Sequence, residues 1–154
     1  MRRILLFAAA LLAAVVMIAP TAGATTSVAV NGGGRGTVDG VAPFSQFGFD
    51  VTRHADGSVT GHFNCVMAGA SEFPGFDLMA VRGQVTDAVF TPGAVTFDGA
   101  GMFQTGNLGK SSATFQVTVT EGGPGVGTLQ LTLLTPMVSA MPTEHVLNGQ
   151  IAMR

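Results

Sequence analysis

An all-β fold follows from three features of this chain of 154 residues. Apolar and polar residues alternate along most of it after residue 24, and no stretch there carries the 3.6-residue period of an amphipathic helix. Turn-forming Gly, Pro, Asn and Asp also recur at intervals of about 10 to 15 residues, as they do between short paired strands. Together these predict a single antiparallel β-sandwich or small β-barrel of about eight strands, preceded by a signal peptide.

The strands are taken in order. Residues 25–31 form the first, with Val28 and Val30 on one face, and Gly32, Gly33 and Gly34 break it. Residues 44–53 place Phe47, Phe49 and Val51 on one side against Gly48, Asp50 and Thr52 on the other. The turn His54-Ala55-Asp56-Gly57 joins them to residues 58–68, where Val59, Gly61, Phe63, Cys65 and Met67 face one way. After a loop at residues 69–75 comes a strand at 76–85. Val89 and Phe90 then lead into the turn Thr91-Pro92-Gly93. Residues 94–103 resume the alternation, and 105–110 form a polar loop. Residues 112–121 set Phe115, Val117 and Val119 against Gln116, Thr118 and Thr120, and the turn Gly122 to Gly127 connects them to residues 128–135. A Pro-bounded loop at 136–142 precedes a last strand at 146–153, broken by Gly149. One apolar face per strand requires a second sheet or closure of the first, and Phe47, Phe49, Phe63, Phe97, Phe103 and Phe115 supply the bulk. Lys is nearly absent, so charged edge residues are scarce and closure is favoured.

The first 24 residues carry an address. Arg2 and Arg3 precede an apolar run of 15 residues, 4–18, and Ala22-Gly23-Ala24 is a small-x-small pattern accepted by signal peptidase. A run of that length ended by Pro20 is short for a spanning helix, which needs about 20 apolar residues. Residues 1–24 are therefore read as a signal peptide and 25–154 as an exported β domain, extracellular or periplasmic, with no stable membrane anchor after cleavage. Without Arg2 and Arg3 the charge is 5 − 9 = −4, and the remaining basic residues are scattered, so no footprint for nucleic acid exists. There is no Trp or Tyr, which weakens a lectin reading, because sugar rings commonly rest on those side chains.

Catalytic sets are hard to assemble from what remains. Cys65, the single cysteine, reads as a buried apolar-like residue, and His62 points to the opposite face of its strand. His54 falls in a turn and His145 near the C-terminus, and no Gly-x-Ser-x-Gly elbow is present. Asp50, Asp56, Asp77, Asp87 and Asp98 lie on separate elements. Met137, Met141 and His145 recur at a spacing of four and would suit Cu(I) if a helix aligned them, but Pro136 and Pro142 oppose a helix. No metal site, cofactor or catalytic residue is assigned.

Asn31-Gly32-Gly33-Gly34, Phe47-Gly48-Phe49-Asp50-Val51, Ala55-Asp56-Gly57-Ser58 and Gly61-His62-Phe63 occur in that order. They are followed by Phe115-Gln116-Val117-Thr118-Val119-Thr120-Glu121-Gly122-Gly123-Pro124-Gly125 and Leu147-Asn148-Gly149-Gln150-Ile151. This series resembles small secreted bacterial domains of the post-COAP-1 type over most of residues 31–151, departing from them at 69–75 and 106–110. The resemblance implies an exported bacterial β domain and carries over no catalytic residue. The expectation is a non-enzymatic exported module, binding or structural, at or outside the cell surface. The alternative is a carrier of a small apolar ligand in a Phe- and Met-lined barrel interior.

Overall fold

The computed structural model describes residues 26–67, 78–106 and 109–154, which form nine β-strands with no helix among them. They are β1 (Val28–Thr37), β2 (Ser45–Arg53), β3 (Val59–Met67), β4 (Met79–Thr91), β5 (Ala94–Thr105), β6 (Gly109–Thr120), β7 (Thr128–Thr135), β8 (Ser139–Ala140) and β9 (Glu144–Met153). Residues 1–24, read as the signal peptide, and the loop expected at 69–75 lie outside the described residues.

From β1 to β7 each strand pairs antiparallel with its sequence neighbour. β9 then returns to β1, with Gly32 opposite Ile151, and its first residues meet β7 at Thr128–His145 and Leu129–Glu144. The order β1-β2-β3-β4-β5-β6-β7-β9 thus closes into a ring, a small barrel, with β8 appended to β7 opposite Thr132 and Leu133. Closure removes the edges that a Lys-poor chain has little means to protect.

All six phenylalanines expected in the core are buried. Five of them form a continuous chain across the interior. Ring centroids are 6.3 Å apart for Phe47–Phe49, 5.6 Å for Phe49–Phe97, 5.8 Å for Phe97–Phe63 and 5.2 Å for Phe63–Phe115. Burying each such side chain stabilises by about 1.5–3 kcal/mol relative to exposure. On the outside of β5 and β6, polar side chains pair across the strands. Thr96 and Thr118 hydrogen-bond at 3.0 Å, and Gln116 Nε2 donates to Asp98 Oδ1 at 3.0 Å.

Several boundaries differ from the sequence expectation. Gly32, Gly33 and Gly34 do not end the first strand but lie inside β1, paired with Phe49, Gly48 and Phe47. The reason is room: a Cβ on Gly32 would stand 2.6 Å from the Phe49 ring, so the missing side chain admits the aromatic. Gly149 likewise lies within β9 rather than breaking it. Val89 and Phe90 continue β4 beyond a bulge between Val85 and Asp87. β5 runs through Thr105 and β6 starts at Gly109, which shortens the expected loop at 105–110. The turn from Gly122 to Gly127 also pairs with β9. Gly122 and Ile151 exchange hydrogen bonds, Gly125 N donates to Val146 O at 2.8 Å, and Val146 N donates to Gly127 O at 2.8 Å.

Candidate functional site

Among the described residues the buried polar side chains are Thr37, Ser45, Thr105 and Glu144, and Ser45 and Glu144 come together beside Gly36 and Cys65 where β1, β2, β3 and β9 meet. Alternation on β2 turns Ser45 inward in phase with Phe47, Phe49 and Val51. The same rule on β3 turns Cys65 inward between Phe63 and Met67. β9 opens with Glu144, in phase with the buried Val146. Glu144 is 1% exposed, and it is the one buried residue with an acidic or basic side chain among the described residues. Ser45 Oγ donates a short hydrogen bond to Glu144 Oε2, whereas Oε1 is buried with no partner. On β1, Gly36 makes the space, because a Cβ there would collide with the Glu144 carboxyl.

Electrostatics follow from that burial. Removal from water penalises the charged form, and the hydrogen bond from Ser45 offsets this only in part, so the Glu144 carboxyl is pushed up to about 7. Burial foremost, then the nearby Glu144 charge, pushes the Cys65 thiol well above its ordinary range, against a smaller lowering by Ser45. The group therefore holds a proton near neutral pH, and its cysteine stays a thiol rather than a nucleophilic thiolate.

Of the residues singled out from sequence, Cys65 is buried on its strand as expected. His62 faces outward and pairs with Asp50 across the β2–β3 register. His54 Nε2 and Thr60 Oγ1 hydrogen-bond at 2.8 Å, beside the turn. Asp56 accepts from Ser58 N at 2.9 Å and Ser58 Oγ at 2.6 Å, and these bonds hold its carboxyl below the usual range. Asp87 Oδ1 accepts from Ala88 N at 2.8 Å, while Asp77 lies outside the described residues. Met141 is buried, whereas Met137 and His145 are exposed. Sequence reasoning missed Glu144. The available signal was its spacing of two from Val146, which puts it on the core face once the strand is begun two residues earlier. No protein-family model matches the chain, and neither a curated protein nor a solved structure matches it.

Proposed function

We propose that the chain is a non-enzymatic β-barrel module, exported by its first 24 residues, that acts by binding through its outer face and loops at or outside the cell surface. The chain of five phenylalanine rings carries this reading, because it fills the middle of the barrel where a carried ligand would sit. The outward placement of His62 and His145, away from buried Ser45 and Glu144, also favours a binding role over hydrolysis. The resemblance to secreted bacterial post-COAP-1-type domains agrees with export and with a binding or structural role.

A second reading is a carrier of a small apolar ligand. It draws on the ring closure and on Met67 and Met79, which stand opposite one another on β3 and β4 and are fully buried. Native mass spectrometry of the protein purified from its own host separates the two. The binding-module reading expects a chain beginning at Thr25 that carries no small molecule. A stoichiometric apolar ligand that survives purification would overturn it in favour of the carrier.

A further inference from the structure

We infer that Glu144 is a proton-operated latch on the barrel's shortest seam: with its proton bound the β7–β9 junction stays shut, and with the proton lost the start of β9 loosens from β7 and β1. The inference begins with where the residue sits. β5 and β6 pair along the whole of Ala94–Thr105, but β7 and β9 share two register pairs, and Leu129–Glu144 is one of them. Farther along, β9 is held on that side by backbone bonds from the Gly122–Gly127 turn, including Val146 N to Gly127 O. Residues 141–143, between β8 and β9, belong to no strand; Met141 N still donates to Leu131 O of β7 at 2.8 Å, so the two residues after it, 142 and 143, are the stretch that leads into the Glu144 seam.

The surroundings of the carboxyl supply the driving force. β1 presents Gly36, β2 presents Ser45, β3 presents Cys65 and β7 pairs through Leu129. None of these is a cation, and the sole other titratable group among them is a thiol that burial keeps protonated. His145 and Thr37 stand opposite one another beside it, and His145 is exposed to water. Ionised Glu144 would be a buried charge with one hydroxyl partner and an empty Oε1, a state that favours any conformation returning it to water. The neutral acid has no such demand. The lift of its titration to about 7 places the change within the physiological range.

Hydrogen exchange of the Val146 amide in the full-length chain, corrected for intrinsic rates, tests this. Protection at Val146 relative to Val117 in β6 is expected to fall by up to roughly tenfold per pH unit between the ordinary carboxyl value of 4.5 and the Glu144 titration point near 7, and to level off above it. In Glu144→Gln, which cannot ionise, the ratio is expected to stay flat. Ser45→Ala removes the hydroxyl that favours the charged form, so the pH at which the fall levels off is expected to rise. A wild-type ratio that stays flat across the range overturns the inference whatever the variants do, and so does a fall that persists unchanged in Glu144→Gln.

Discussion

At the residue scale, the informative position is an acid in an apolar interior. A carboxylate is by default assigned to water, so the local sequence does not place residue 144 on the core face of the last strand. Cys65 was easier to read, since free cysteine is often buried and the alternation from Val59 to Met67 put it on the apolar side. Its thiol is expected to be inert. A thiol-specific reagent such as DTNB should label less than one equivalent in the folded protein and a full equivalent in denaturant, and full labelling of the native protein would contradict its burial. Glu144 ties stability to pH, and the sign can be worked out. Its folded value of about 7 exceeds its ordinary 4.5, so between them the folded state binds more protons than the unfolded state. The stabilisation is complete below 4.5 and is lost as pH rises through 7, by about 3 kcal/mol at most. Urea unfolding at pH 5 and pH 8 should show the wild-type losing stability from this group, with Glu144→Gln lacking that component.

At the element scale, the hairpins were legible because alternation and turn chemistry agree. Asp56-Gly57 closes β2 and β3 with Gly57 at φ +87°, and the 128–135 strand has the bounds expected. The glycines inside strands misled, because glycine weakens a strand locally while its lack of a Cβ admits a large side chain from elsewhere. Which role applies depends on three-dimensional neighbours such as Phe49 over Gly32, and no local pattern reports them. Two glycines of the first hairpin separate these effects. At Gly61 a Cβ would strike the Asp50 carbonyl and the Val51 backbone, whereas at Gly48 it would meet nothing within 4 Å. Gly61→Ala is expected to cost about 1–3 kcal/mol, and Gly48→Ala to stay within about 0.5 kcal/mol of wild type. Equal losses in thermal unfolding would show that backbone propensity, and not crowding, governs both sites.

At the scale of the whole molecule, the sequence predicted β structure and leaned toward closure, but the identity of the closing strands was hidden. Closure depends on residues far apart in the chain: β9 lies on β1, and a turn between β6 and β7 supplies bonds that β7 itself does not make to β9. Nothing in the local spacing of Gly122 to Gly127 distinguishes such a turn from an ordinary hairpin loop. Once the ring is closed, phenylalanine packs its middle, and among the described residues one acid is buried where the seam is shortest. That trapped acid is the feature on which the pH dependence and the latch both rest. The most direct test follows the side-chain carboxyl carbon of Glu144 by 13C NMR as a function of pH. A titration midpoint near 7 is the expected result, and a midpoint at the ordinary 4.5 would contradict the account.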